Sequence, residues 1–357
     1  MTITISIGVL AHNESNLISR TLHSLLQQSL FLSDKSKFEL ELIVVPNGCT
    51  DDTASVARTT LQTLTAPALY SHINWQVCEL TEAGKSNAWN AYVHQLRCAK
   101  AKYLVLMDAD IEFLETETLL SMLNVLEKTP DAWVSVDKPI KDVTLKSSKT
   151  LMEHFSALVS SLSGGKASEE GPAWLCGQLY CARSEVLQKL WLPTRLPVED
   201  GFLYTMIVTD GLLSAKEPQR VLLAKSASHR FEAYTQLNRL LRHEKWLILS
   251  NAVNELIYSD LLAESIPAEG AGLLIKQRNE QDPQWLSNYL QASANKKKWL
   301  IPSFILLRRF KGLRYQSPLK SILLLPLAIV AFLADSLLAF QSNLELHQGS
   351  KLGYWGK

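Results

Sequence analysis

The sequence lacks the marks of several common protein classes. Its 36 Lys and Arg residues almost cancel its 35 Asp and Glu, leaving a formal net charge of +1. That balance excludes a globally basic nucleic-acid binder. Five cysteines (Cys49, Cys78, Cys98, Cys176 and Cys181) form no CxxC pair and no Cys/His metal spacing, so reduced thiols in a cytosolic setting are expected. No GxGxxG follows the first apolar run and no GxxxxGKS/T occurs, which argues against a dinucleotide cofactor and a P-loop. The amino terminus reads as a strand from Ile3 onward, without a basic segment ahead of an apolar one, and no signal peptide is expected.

What is present is a chain of 357 residues, 47% hydrophobic and 20% charged, long enough for one large or two average domains. Its first 137 residues alternate between two periodicities. Ile3–Leu10, Leu40–Val45, Asn74–Cys78, Tyr103–Asp108 and a run near Ala132–Val136 read as strands. Between them, Ser15–Gln28, the stretch after Thr50, Gly84–Ala99 and Glu115–Lys128 have helical spacing, with Asn13, Ser15 and Thr50 as candidate caps. Alternating β and α with short links predicts a mostly parallel sheet covered by helices on both faces.

Tyr103-Leu-Val-Leu-Met-Asp108-Ala-Asp110 is the stretch that carries chemistry. A run of this kind belongs to a strand buried on both faces, yet it ends in two carboxylates. The carboxyl ends of parallel strands are where open α/β sheets bind ligands. A divalent cation bridging to phosphate oxygens accounts for both charges, whereas the bland alternative is a strand running into an acidic turn. The loops after the first two strands, His12-Asn13-Glu14 and Asn47 to Asp52, open at the same edge and suit a nucleoside. Glu82-Ala-Gly84-Lys85-Ser86-Asn87 opens a helix, a natural place for an anion.

Taken in order, Val9-Leu-Ala-His-Asn13-Glu14, Asn47-Gly-Cys-Thr-Asp51-Asp-Thr53, Gly84-Lys85-Ser-Asn87-Ala-Trp-Asn90 and Leu106-Met-Asp108-Ala-Asp110 resemble the motifs of family 2 glycosyltransferases with the GT-A fold. The resemblance covers residues 3–137. It implies a nucleoside-diphosphate sugar donor, with Asp108 and Asp110 at a divalent metal (Mg²⁺ or Mn²⁺) and the diphosphate. It places Asn13, Glu14, Asn47 and Asp51 about the nucleoside and Lys85 near the base or diphosphate. Pro46 stands where many members carry an acidic residue before the Asn-Gly turn, so the resemblance does not fix the base.

Residues 138–235 are then expected to hold the acceptor. Ser163–Gly171 has the composition of a flexible loop, and Trp174–Arg183 reads as a strand whose Gly177 admits close approach of a substrate. Leu196-Pro-Val-Glu199-Asp200-Gly201 is either a helix cap or, as in related transferases, the source of the general base. Asp200 is the candidate and Glu199 its alternate. Arg220–Ala224 is the expected last strand. His229 beyond it either completes the metal shell, as in some GT-A enzymes, or is a hydrogen-bonded structural residue. Arg239 and Trp246 do not keep the register of the Gln-x-x-Arg-Trp helix of processive members.

Residues 236–295 are expected to be a helical connection, and 296–357 to be different in kind. Lys296, Lys297, Lys298, Arg308, Arg309, Lys311, Arg314 and Lys320 are joined by no acidic residue, and Ile322–Phe340 is almost wholly apolar. Nineteen residues nearly cross a hydrocarbon core of about 30 Å. The expectation is membrane attachment by a short span or a re-entrant hairpin, with the catalytic domain on the cytoplasmic face and a lipid or glycan acceptor. A sugar nucleotidyltransferase and a catalytically inactive membrane-associated binding module are the alternatives, and nucleic acid is not an expected partner.

Overall fold

The computed structural model describes residues 2–33, 37–70, 72–144, 172–233, 236–314 and 317–348. The loop expected over Ser163–Gly171 lies outside them. β1 (Ile3–Ala11) leads through α1 (Ile18–Leu26) and the single turn α2 (Ser29–Leu32) to β2 (Phe38–Pro46). α3 (Thr53–Thr65) then returns the chain to β3 (Asn74–Val77), and α4 (Lys85–Ala91) to β4 (Tyr103–Asp108). β1 lies parallel between β2 and β4, and β3 lies outside β2. Ile5, Ile7 and Val9 of β1 and Leu104 to Met107 of β4 are buried, because helices cover both faces of these central strands. Continuous apolar runs are the sequence form of that environment.

The helix expected over Gly84–Ala99 is shorter and changes type. α4 gives way to a π-helical turn at Tyr92–Leu96. The turn seats the Tyr92 ring against β1, where a Cβ on Gly8 would lie 2.7 Å from it, and the Tyr92 hydroxyl donates to Ser6 Oγ at 3.1 Å. A π-bulge of this kind resets helix register at the cost of weaker backbone bonding.

Beyond β4 the sheet becomes mixed. β5 (Glu112–Phe113), α5 (Thr118–Lys128) and β6 (Val134–Lys141) precede β7 (Leu179–Arg183), which is followed by α6 (Ser184–Leu187), α7 (Asp200–Val208) and β8 (Val221–Phe231). The order is β3-β2-β1-β4-β7-β6-β8-β5, with β7 antiparallel to both β4 and β6 and β5 antiparallel to β8. The strand expected over Trp174–Arg183 is regular only from Leu179, where pairing to β4 begins. β8 runs well past the expected Ala224, because it pairs with β6 again after a register shift between Val136 and Lys138. His229 is therefore a strand residue, opposite Pro139 and Phe113.

Among the described residues six further helices follow: α8 (Leu237–Ala263), α9 (Ala271–Gln281), α10 (Trp285–Lys296), α11 (Ser303–Leu306), α12 (Arg308–Leu313) and α13 (Pro318–Gln348). Val253 and Ile257 of α8, Leu286 of α10 and Leu338 and Leu346 of α13 belong to one buried cluster with Leu104 of β4 and Phe202 of α7. The carboxyl-terminal helices thus share the core of the sheet.

Candidate active site

The loops after β1 and β2 are tied into one rim. Asn13 adopts a left-handed backbone (φ 56°), and its Oδ1 accepts the Thr50 amide at 2.8 Å. His12 Nδ1 donates to the Asn47 carbonyl at 2.7 Å. Asp51 accepts the amides of Ser15 and Thr53, each at 3.1 Å. It is therefore Asp51, and not the expected Thr50, that serves the start of α3. Burial acts to raise the Asp51 carboxyl, but the bonds from Thr53 and Ser15 outweigh it and hold the group at about 2. Asn47 is fully buried, with neither side-chain amide atom bonded among the described residues, and Glu14 beside the rim is 4% exposed. Gly48 has φ +56°, and a Cβ there would meet Ala83 at 2.5 Å. An open cleft of about 340 Å³ lies alongside, lined by Pro46, Gly48, Cys49, Thr50, Glu79, Leu80 and Thr81. Its acidic group comes from Glu79 after β3, where position 46 supplies none.

Across the rim, one cation joins two motifs far apart in sequence. Lys85 Nζ lies 2.7 Å from Asp108 Oδ1 and 2.7 Å from Glu199 Oε1, and donates to the Gly177 carbonyl at 3.3 Å. Gly84, with φ 138°, starts α4 so that this lysine points across the end of β4. Burial pushes the Asp108 carboxyl up to about 7; Lys85 opposes that rise, and the nearby charges of Asp110 and Glu199 add to it. Two carboxylates crowded beneath a lysine form a site that gains from additional positive charge.

Glu199 and Asp200 part company here. Glu199 is buried and ion-paired with Lys85. Asp200 opens α7, and its Oδ1 accepts the Gly201 amide at 2.6 Å. Burial and then the charge of Glu199 raise the Asp200 carboxyl to about 6. Gly177, read from sequence as room for a substrate, makes room for the protein itself. A Cβ there would stand 2.6 Å from Glu199 Oε1 and 3.2 Å from Asp200 Cβ.

His229 is fully buried, with Nδ1 2.7 Å from Asp137 Oδ2 and Nε2 3.3 Å from Gln178 Oε1. Among the described residues, no three His, Cys, Asp or Glu side chains gather as a metal cage, so His229 is not assembled with Asp108 and Asp110 here. The two carboxylates alone still fit a divalent ion, because Mg²⁺ typically takes one or two carboxylates and completes its shell with phosphate oxygens and water.

The glycosyl transferase family 2 model matches residues 6–188, just over half of the chain, from within β1 to the end of α6. The chain belongs to glycosyl transferase family 2. Among solved structures it is similar to glucosyl-3-phosphoglycerate synthase from Mycobacterium tuberculosis in complex with Mg²⁺ and uridine diphosphate. The identity is 19%, over 71% of this chain and 79% of that one, with a TM-score of 0.44. It is also similar to residues 1–349 of TarS from S. aureus, at 16% identity over 99% of this chain and 93% of that one, with a TM-score of 0.46. No match is found among curated proteins.

For this family 2 glycosyltransferase, the partners of His229 that were missed from sequence are Asp137 and Gln178. Asp137 had the same signal as Asp108, a carboxylate directly after a buried apolar run. Gln178 had none, because its place beside His229 depends on β7 pairing between β4 and β6.

Proposed function

We propose that this enzyme moves a sugar from a nucleoside diphosphate to an acceptor hydroxyl with inversion at the anomeric carbon, using a divalent cation. The convergence of Asp108, Lys85 and the Glu199–Asp200 pair at one end of β4 carries this reading. Asp108 and Asp110 would hold Mg²⁺ or Mn²⁺; His229 remains a further candidate only if its Nε2 exchanges Gln178 for the metal, since Nδ1 is held by Asp137. When bound, the cation supplies positive charge for the donor diphosphate. Asn13, Glu14, Asn47 and Asp51 form the nucleoside rim, and Asn47 has buried amide atoms to offer a ligand.

Asp200 is assigned the general base. Oδ1 is taken by the Gly201 amide, which leaves Oδ2 to receive the acceptor's proton. As that proton leaves, the acceptor oxygen bonds to the anomeric carbon and the bond from that carbon to the diphosphate breaks on the opposite face. Lys85 stands where negative charge grows on the departing diphosphate, and Glu199 holds the lysine there. The acceptor is assigned to a lipid or lipid-linked molecule, and the enzyme to the cytoplasmic face of a membrane. Support comes from α13, which is 31 residues long with a mean hydropathy of 2.4 over its most apolar 18-residue window. A panel of sugar nucleotides, scored for Mg²⁺- or Mn²⁺-dependent hydrolysis and for thermal stabilisation, tests the donor reading. Finding no stabilising donor with either metal would overturn it.

A further inference from the structure

The apolar helix α13 is held to the protein in a way that bears on how it meets lipid. Its Asp335 is 2% exposed and accepts from Arg308 Nε and Arg309 Nε, each at 2.9 Å. Both arginines also pair with Glu244 of α8. Ten residues on, Glu345 pairs with Lys245 of α8 at 2.6 Å. From position 335 to 345, then, α13 lies against a charged stretch of α8. A helix crossing a bilayer needs about 20 residues clear of such groups. Only Pro318–Ala334 precedes Asp335, about 25 Å of helix at 1.5 Å per residue. Even this half is accompanied, since α12 runs back along it with the Phe310 ring 5.3 Å from that of Phe332 at a tilt of 53°, and Leu313 O accepts from Ser321 Oγ at 2.9 Å. A transverse α13 would draw the Glu244 and Lys245 pairs into hydrocarbon, where paired charges remain costly.

The exposed apolar face has a different extent. Ile322, Ile329, Val330, Leu333, Leu337 and Phe340 recur at spacings of a helical stripe and are 44–69% exposed. Ala328, Asp335, Ala339 and Ser342, on the opposite face, are buried. The stripe thus continues past Asp335, along the half of the helix that is fastened to the protein. Exposed basic residues stand at both of its ends. Lys296, Lys297 and Lys298 are fixed beside Asn343, which bonds Lys298 O at 3.0 Å, while Lys311, Arg314 and Lys320 stand at the hairpin tip. An apolar stripe with exposed cationic residues at both ends matches a helix lying at an anionic interface.

We infer that α12 and α13 form a hairpin that lies in the plane of an anionic membrane surface, sunk along its stripe into one leaflet without crossing. The inference rests on the membrane attachment proposed above and adds its geometry and lipid class. A hairpin that does not cross leaves the site on the same side of the membrane as the leaflet that the hairpin occupies.

Full-length protein is tested by flotation with vesicles of phosphatidylcholine, with and without phosphatidylglycerol. Flotation is expected with both, tighter by about tenfold on the anionic vesicles. Val330→Glu/Leu333→Glu, at exposed positions outside the site, is expected to lose at least about tenfold of vesicle binding while donor hydrolysis is unchanged. Lys296→Gln/Lys297→Gln/Lys298→Gln is expected to lose mainly the anionic preference. Geometry is read with Ser317→Cys at the hairpin tip, in membrane vesicles from expressing cells with the cytoplasmic face outward and the unsubstituted protein as background. An impermeant maleimide should label it equally before and after detergent. Labelling only after detergent means that the helix crosses, which overturns the in-plane inference and leaves attachment standing. No flotation with either vesicle, together with a dimer that Val330→Glu/Leu333→Glu dissociates, assigns the stripe to a second copy and overturns both.

Discussion

The ammonium of Lys85 stands between Asp108 and Glu199, and its removal leaves two carboxylates facing each other with no cation between them. Lys85→Met keeps the unbranched stem as far as Cε and removes the charged ammonium. The cluster is slightly exposed, so the loss of stability should fall below the 3–5 kcal/mol of a fully buried pair, at about 2 kcal/mol, read from denaturant unfolding. Asp110→Ala is a separate test, because Asp110 has no part in that ion pair. It should abolish metal-dependent donor binding in calorimetry and leave the fold intact; donor affinity that still rises with metal as in the unsubstituted protein would refute the assignment. Asp200→Asn should retain donor affinity and lose transfer by a factor of about 10² or more. The pH profile adds a sign. A carboxyl raised to about 6 is the ionised base only above that pH, so transfer should fall about tenfold per unit as pH drops below 6. The residual activity of Asp200→Asn should lack that limb, and an unchanged limb would move the base elsewhere.

At the scale of elements, the turn at Gly177 brings β7 to the start of α7. Gly177→Ala would force its Cβ into Glu199 and Asp200, and a displacement near 1 Å of a reacting group costs up to about 10² in rate. The expected result is at least about a tenfold loss of kcat with donor affinity nearly unchanged; wild-type kcat would show that the acidic pair is not held by this turn. Here the reach of sequence can be judged residue by residue. β1, β2 and β4 were legible because helices cover both faces and leave apolar runs. Asp108 was legible as a charge at the end of such a run. The contact of Lys85 with Glu199 was not, since 114 residues separate them in the numbering and only the fold closes that gap. His229 was read as lying past the last strand because Lys225 and Ser226 break the apolar pattern, although β8 spans both and resumes pairing with β6 at Ser228 after an irregular stretch.

Across the whole molecule, the basic and apolar tail read from sequence as a separate region is fastened to the rest by packing. Leu300, Ile301, Ile305, Leu338 and Leu346 are buried in the cluster that includes β4. Each such side chain contributes about 1.5–3 kcal/mol when buried, so ending the chain after Asn295 removes an amount comparable to a domain's whole net stability. That truncation is expected to aggregate or to melt well below the full chain, as thermal unfolding would record; an equally stable truncated protein would show that the tail only rests on the core. The periodicity of Ile322–Phe340 could not reveal this, because its buried partners lie on α8 and α10. A further consequence follows from the place of β7. It is the hydrogen-bonded neighbour of both β4 and β6, yet it leaves the ribosome more than 70 residues after β4. Until then β4 has an open edge, and an unpaired apolar strand is a template for pairing with another chain. Closing a loop of that length comes late in assembly, after the local β-α-β units have formed. During synthesis this chain therefore passes through an interval in which its most apolar strand is half paired, and it is most open to chaperone capture there.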